Sequence, residues 1–445
     1  MASETTVVAC ATGVVRAGIS VVRVSGPQAK LIGEKVTSAS MPEPNRVVCR
    51  TILNGRGEAV DQGLIIFFKG PASFTGEDLV ELHTHGSPYI VEQVIAACLA
   101  FGAEYARPGE FSERAFLNGK MDLVQVESIA DLIASQSSAQ AAAALASMQG
   151  ALSKEVHRLQ DSLASVRSQI EADIDFSEQD IDTAGFERNR SSIRALVSLT
   201  ERLITKVKRA IHNQAGLRIV MVGAPNVGKS SLLNQLTQQD SAIVTDIPGT
   251  TRDILKASIA HKGSALEVID TAGIRDSQDP IEKIGIERTH AAIDGADVVW
   301  LLVDATTVTE EEILALKSTA LRGRAKEVLV VSNKHDLDAA RDLPRSLVDC
   351  SISAVQGDHI DKLLDETLKR HKGAITSEFS ARSRHLVALT DFCEHLQAAA
   401  SCPEGRVDCA AEDLRQAQSC LSIITGAYYT DDLLDMIFST FCLGK

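Results

Sequence analysis

Between Leu152 and Ile174, apolar side chains recur at Leu152, Val156, Leu159, Leu163, Val166, Ile170 and Ile174, in steps of three or four. Such steps return to one side of a 3.6-residue turn, so the segment predicts a long amphipathic helix with one buried stripe. Gly and Pro are nearly absent from 121 to 215, and that whole stretch reads as helical. Before it the period changes. "GISVVRVSG", "VVCRTIL" and "DQGLIIFFKGPASFTG" are β-branched runs bounded by Gly and Pro, which predict strands. The Ala-rich "SPYIVEQVIAACLAFGA" between such runs predicts a helix, so this part reads as α+β.

From 217 the order becomes strand, loop, helix. "LRIVMV", "ALEVID", "VVWLLVD" and "VLVVSN" are continuous apolar runs of the kind buried on both faces of a parallel sheet, spaced by helical lengths. After about 372, "HLVALTDFCEHLQAAA" and "AEDLRQAQSCLSIITG" are helical again. The expected organisation is multidomain: an α+β domain at 1–118, an all-α helical domain split into halves at 119–214 and 373–445, and an α/β domain inserted between the halves at 215–372. Insertion is tolerated where the ends of the inserted domain lie close together.

Composition narrows this picture. At 445 residues the chain exceeds one ordinary core, and 44% hydrophobic with 23% charged residues fits a folded soluble protein. The first basic residue is Arg16, and no run of about 18 apolar residues exists, so neither a leader nor a membrane span is expected. The nine cysteines form no CxxC pair, which argues against a zinc ribbon or a disulfide framework and for a reducing cytoplasm. The net charge of −14, with 11 basic and 12 acidic residues in 1–120, excludes indiscriminate nucleic-acid binding. Any RNA contact must use a local surface.

"GAPNVGKSS", Gly223 to Ser231, fits G-x-x-x-x-G-K-[ST] between the strand at 217–222 and the apolar-periodic "SLLNQL", making this the P-loop of a GTPase-like α/β domain. The glycines turn backbone N–H groups of the Asn226–Val227–Gly228 bend toward phosphate oxygens, and the helix N-terminus adds positive dipole. Lys229 reaches the terminal phosphates and the Ser230 hydroxyl ligates Mg²⁺, with Ser231 beside it. "DTAG" ends one strand, placing Asp270 to hold Mg²⁺ through water and Gly273 to meet the γ-phosphate. "NKHD", Asn333–Asp336, resembles the guanine-reading motif of the translation-factor class of GTPases. There Lys334 follows the Asn, and the Asp336 carboxylate accepts from the donor pair of the base, which adenine lacks. Ser353 and Ala354 resemble the weaker guanine-side motif. GTP is the expected nucleotide.

Ras-like switches orient the attacking water with a Gln just after DTAG, and here that position is Ile274. Thr250 and Thr251 in "DIPGTTRD" are candidates for γ-phosphate and Mg²⁺ contacts. Arg252 and Arg275 are equally candidates for an arginine finger or a surface ion pair. A bound monovalent cation is the other source of positive charge. One unit charge at about 4 Å is worth about 4 kcal/mol at an effective dielectric of 20, which corresponds to about a thousandfold in rate. Asn226 and the oxygens of 245–250 are its available ligands.

Taken together, "VVRVSGP", "SFTGEDLVELHTHGSP", "ARPGEFSERAFLNGKMDLVQVESIADLI", "GAPNVGKSSLLNQL", "IVTDIPGTTRD", "DTAGIRDS" and the terminal "YTDDLLDMIFSTFCLGK" resemble one family along the whole chain, the MnmE or TrmE tRNA-modification GTPases. The resemblance implies an N-terminal domain that dimerises and binds 5-formyltetrahydrofolate or a related reduced folate, through Arg23, Glu81, Lys120 and Lys445. It implies a GTPase stimulated by K⁺ when two G domains meet, with K⁺ at Asn226, Thr245, Ile247 and Thr250 and Mg²⁺ at Ser230 and Thr251. Glu282, with Lys229 and Asp270, is the implied catalytic set, Glu282 acting on the water. An FAD-dependent partner protein and tRNA complete the implied assembly, which modifies C5 of the wobble uridine. Three positions depart from the family pattern: Val14, Val15 and Ser20 stand where Pro or Gly is usual. Ser87 is a milder change, and Pro248 stiffens the cation loop without removing carbonyls.

Two features stay open. Cys442 sits four residues from the end, but Gly444 and Lys445 do not suit prenylation; it reads either as a redox-active or nucleophilic thiol of the tRNA chemistry or as a packed structural thiol. His83 and His85 have metal-pair spacing without a third ligand, which favours hydrogen bonding in a loop. A ribosome-assembly or regulatory GTPase switch is the alternative reading of the whole chain.

Overall fold

A computed structural model describes residues 5–175, 183–238, 242–243, 256–270, 293–321, 327–341, 343–371, 377–403, 406–441 and 444. The chain forms two compact units, one of residues 1–133, 147–204 and 384–445, the other of 134–146 and 205–383.

The first unit holds a six-stranded sheet: β1 Val7–Cys10, β2 Ala17–Ser25, β3 Val47–Leu53, β4 Ala59–Phe68, β5 Leu79–Gly86 and β6 Glu104–Tyr105, in the order β3-β4-β5-β2-β1-β6. The three expected strands and the helix Pro88–Ala100 form where the β-branched and Ala-rich runs place them. Because side chains alternate across a strand, Val22 and Val24 of β2 and Val80 and Leu82 of β5 face a core shared with the helices Ala29–Thr37 and Pro88–Ala100. Arg23 and Glu81 therefore face the other way, and the antiparallel register sets them directly opposite each other.

The helical stripe buries as its spacing demands. Leu152, Val156, Leu159, Leu163, Val166 and Ile170 are all buried on the helix Ala151–Asp175; the side chain of Ile174 lies outside the described residues. This helix packs on Val407–Thr425, where Leu414, Ala417, Leu421 and Ile424 are buried. Each buried Leu, Val or Ile of the pair contributes about 1.5–3 kcal/mol. The helix Asp431–Phe438 closes on Glu110–Leu117 through Phe116, Leu434, Ile437, Phe438 and Phe441.

The second unit is a seven-stranded sheet of β7 Leu217–Val222, β8 Ala242–Ile243, β9 Lys256–His261, β10 Ser264–Asp270, β11 Val298–Asp304, β12 Glu327–Asn333 and β13 Cys350–Ser351. Its order is β13-β12-β11-β7-β10-β9-β8, parallel from β13 to β10 and antiparallel at β9 and β8. The apolar runs have the predicted two-sided burial. Val298, Trp300 and Leu302 of β11 join one core, while Val299, Leu301 and Val303 join the other. The parallel strands end together at one sheet edge, where open α/β sheets bind ligands. Among the described residues no helix is long and apolar enough to cross a membrane.

Candidate functional site

At that edge the chain leaves β7 through Gly223 and enters the helix Lys229–Thr237. The bend needs left-handed backbone at Asn226 (φ 62°) and Gly228 (φ 96°). A Cβ at Gly223 would lie 2.4 Å from the carbonyl oxygen of Leu302, and one at Gly228 would lie 2.2 Å from Asn333 Nδ2. Both glycines are thus required by close approach, and the turn is left as a cradle of backbone N–H groups at a helix N-terminus. Lys229 folds its ammonium over the cradle, donating to the carbonyls of Gly223 and Ala224 at 2.9 Å each. Ser230 donates from Oγ to Asp270 Oδ2 at 3.2 Å. Asp270 is fully buried at the end of β10. A hydroxyl and a carboxylate side by side are the hard oxygen donors that Mg²⁺ prefers. Ser231 lies on the exposed side of the same helix.

The base-side motifs converge on the same turn. Asn333, buried at the end of β12, donates from Nδ2 to the Val227 carbonyl at 2.8 Å and accepts from the Ala354 N–H at 2.9 Å. One amide therefore ties the phosphate turn to the loop after β13. Ser353 donates to Asp336 Oδ1 at 2.7 Å, orienting that carboxylate. Lys334 (φ 69°) donates from Nζ to Asp304 Oδ2 at 2.6 Å. Burial pushes the Asp304 carboxyl up, but the hydrogen bonds from Lys334 and Thr306 prevail and hold it below its ordinary value. Sequence reasoning passed over Asp304. Its signal was position: it ends "VVWLLVD" in register with Asn333. Thr245, Ile247, Thr250, Thr251, Gly273 and Glu282 lie outside the described residues, as do Ile274, Pro248, Arg252 and Arg275. No group of three or more metal-ligating side chains occurs among the described residues.

A second polar cluster occupies the outward face of the six-stranded sheet. Arg23 donates to Glu81 Oε1 from Nε at 3.1 Å and from Nη2 at 2.8 Å, and His83 Nε2 stands 3.1 Å from Glu81 Oε2. The guanidinium carbon of Arg23 lies 5.5 Å from the Phe74 ring centre and 5.7 Å from that of Phe111. Burial raises the Glu81 pKa, but the Arg23 and His83 contacts outweigh it and leave the carboxyl below its ordinary value. Lys120 donates to the Pro71 carbonyl at 2.8 Å. Lys445 and Cys442 lie outside the described residues. Gly444 (φ 88°) packs so closely that a Cβ would lie 2.2 Å from the Cys10 carbonyl oxygen. His83 and His85 prove to lie on strand β5 instead of a loop, and they take different carboxylates: His85 Nδ1 stands 2.8 Å from Asp61 Oδ1.

One buried cluster escaped sequence reasoning altogether. Glu127 accepts from Arg384 at 2.8 Å on both oxygens, and its Oε2 stands 3.0 Å from His385 Nε2. Burial works against this carboxylate, yet the His385 and Arg384 contacts draw its pKa down to about 2. Arg384 also donates to the carbonyls of Ile423 and Ile424.

Two family models match: the MnmE helical domain over residues 123–442 and the GTP-binding protein TrmE N-terminus over residues 6–120. A "tRNA modification GTPase MnmE" of Pseudomonas entomophila is 43% identical over 454 residues, covering 99% of this chain and 99% of that protein. The protein of the same name from Azoarcus sp. is 41% identical over 444 residues, covering 99% and 98%. Among solved structures, the G domain of the T. maritima FeoB iron transporter is 24% identical, covering 34% of this chain and 97% of that one, with a TM-score of 0.28.

Proposed function

The chain belongs to the MnmE family of tRNA modification GTPases, and from that membership we propose that it hydrolyses GTP at the 223–231 turn to drive modification of C5 of the wobble uridine in certain tRNAs. The observation that carries this reading is the Asn333 amide, which joins the phosphate turn at Val227 to the base-side loop at Ala354. A phosphate site and a purine site linked by one side chain suit a nucleoside triphosphate, and the Asp336 carboxylate suits the donor edge of guanine.

In this reading the backbone N–H groups of Asn226, Val227 and Gly228 bind the phosphates, and Lys229 exchanges its turn carbonyls for phosphate oxygens. Ser230 and Thr251 would hold Mg²⁺, with Asp270 behind it, and the ion neutralises phosphate charge when bound. Asn226, Thr245, Ile247 and Thr250 would hold K⁺, supplying positive charge where no glutamine or arginine finger is assigned. Thr250 and Gly273 flank the γ-phosphate, and Glu282 takes the proton of the attacking water. Asn333, Lys334, Asp336, Ser353 and Ala354 hold the base.

The Arg23–Glu81 pair, with Lys120 and Lys445, would hold a reduced folate as one-carbon donor. A pteridine presents an amine-and-ring-nitrogen donor edge that a carboxylate accepts in bidentate fashion. Dimerisation through the N-terminal domain and association with an FAD-dependent partner complete the proposal, with Cys442 as a candidate thiol near the folate.

GTP turnover by the full chain should be much faster in KCl than in NaCl, by up to about a thousandfold if Na⁺ leaves the site empty, the worth of one unit charge near the transferring phosphoryl group. Glu282→Ala should lose turnover while keeping nucleotide affinity. Equal rates in the two salts would remove the cation from the mechanism. Unchanged wobble-uridine nucleosides in cells lacking the protein, read by mass spectrometry, would remove the tRNA assignment.

A further inference from the structure

Asp304 closes β11 and stands directly opposite Asn333, the last residue of β12. Both oxygens of its carboxylate are committed. Oδ1 accepts from the N–H and the hydroxyl of Thr306 at 2.9 and 2.7 Å, an Asx turn that ties the side chain to its own loop. Oδ2 is thereby aimed across the strand ends, where it accepts from Lys334 Nζ at 2.6 Å. Lys334 itself holds left-handed backbone, which persists in a long residue where the surroundings impose it.

The direction of that reach matters. In the sheet, β11 lies between β12, which carries the base-side motif, and β7, which leads into the phosphate turn. Neighbouring strands are about 4.8 Å apart, within the span of a lysine side chain, so the Lys334 stem bridges the two strand ends from the base side toward the phosphate side. A nucleotide with its base at Asp336 and its phosphates at Lys229 has to cross the same edge. The ion pair is not needed to join the strands. β11 and β12 already pair over seven residues, and the Ala305 N–H continues the ladder to the Asn333 carbonyl at 3.0 Å. A partly exposed ion pair adds little to such a seam.

We propose that Asp304 is a positioning residue for the nucleotide: by anchoring the Lys334 ammonium it presets the lysine stem as an apolar rest for the flat face of the purine. The assignment rests on the GTP reading above. Long cationic side chains lay their methylenes along apolar surface while the charged head stays in polar company, and a purine face is such a surface. Asp336 reads the edge of the base and the stem takes its face, so the two contacts are separable. Without the anchor, the stem must be immobilised anew each time a nucleotide binds, and affinity falls by that ordering cost.

The test titrates fluorescent GDP into the full chain, wild type against Asp304→Asn, with other nucleotides read by competition. The substitution keeps the oxygen held by Thr306 and turns an amide N–H₂ toward the ammonium. GDP and GTP should each bind about two- to tenfold more weakly, the cost of ordering one long side chain. Inosine diphosphate, which has the purine face without the exocyclic amine, should lose the same factor, because the edge read by Asp336 is untouched. In turnover the loss should fall on KM and not on kcat, since a contact to the base is equal in bound substrate and transition state. Lys334→Met, which keeps an apolar stem and gives up its anchor, should lose affinity by itself, and adding Asp304→Asn to it should cost nothing further. Wild-type GDP affinity in Asp304→Asn overturns the assignment. An equal further loss in the Lys334→Met background does the same, as does a loss larger for GDP than for inosine diphosphate, which would place the effect at Asp336. Should Asp304→Asn not fold, Lys334→Met decides alone, and wild-type GDP affinity there overturns the anchor. A wild-type chain that binds no GDP removes the GTP reading as well.

Discussion

Glu127 shows how one charge can be both buried and required. Replacing it by Gln would leave the Arg384 guanidinium and His385 facing a neutral amide in a buried site, and the loss should be about 3–5 kcal/mol in urea unfolding. The sign of its pH dependence follows from a carboxyl held at about 2 against an ordinary 4.5. Its contribution is complete above about pH 4.5 and disappears as pH falls from there toward 2, so acid unfolding of Glu127→Gln should be flatter in that window. At the nucleotide turn, Gly228→Ala meets two obstacles: a positive φ, and an Asn333 amide that cannot retreat because it holds Val227 and Ala354 at once. We expect a loss of about 1–3 kcal/mol of stability and a nucleotide affinity lower by at least about tenfold, read by titration with a fluorescent GDP.

The helix Ala151–Asp175 makes its own prediction. Leu163 lies mid-stripe with no exposed surface, so Leu163→Ala should cost about 2–5 kcal/mol, measured by chemical denaturation, with GTP turnover of the folded fraction intact. That stripe was legible because one periodicity decides it, and β11 was legible because a strand buried on both faces has no polar position to hide it. Strand β5 was not, since its outward Glu81, His83 and His85 break the apolar run and its pairing with β2 and β4 is set at long range. Asp304 and Glu127 were invisible for a related reason. A carboxylate at a strand end or within a helix reads as solvated surface until the partner, 30 or 257 positions away, is known. The phosphate turn lay at the opposite extreme, because its chemistry is fixed by contiguous residues.

Two compact units in one chain make a single melting temperature an incomplete description. The only tryptophan, Trp300, is fully buried in the nucleotide-binding unit, with its indole N–H on Thr367. Fluorescence excited at the tryptophan band therefore reports that unit, while far-UV circular dichroism reports both. Excess GDP at about 100 times its Kd should add about 2.7 kcal/mol to the fluorescence transition, and the dichroism change should follow only in part. Coincident, equally shifted transitions would show the units to unfold as one. The other unit is assembled from three stretches of chain, and this matters most before the protein is finished. Ala151–Asp175 leaves the ribosome more than two hundred residues ahead of Val407–Thr425, the helix that covers it. At about 5–20 residues per second, its apolar side waits on the order of ten to fifty seconds for that cover. A newborn chain must therefore complete its nucleotide-binding unit while the other one still lacks its last stretch, and a ribosome stalled before residue 407 would release a species that exposes a greasy, aggregation-prone helix.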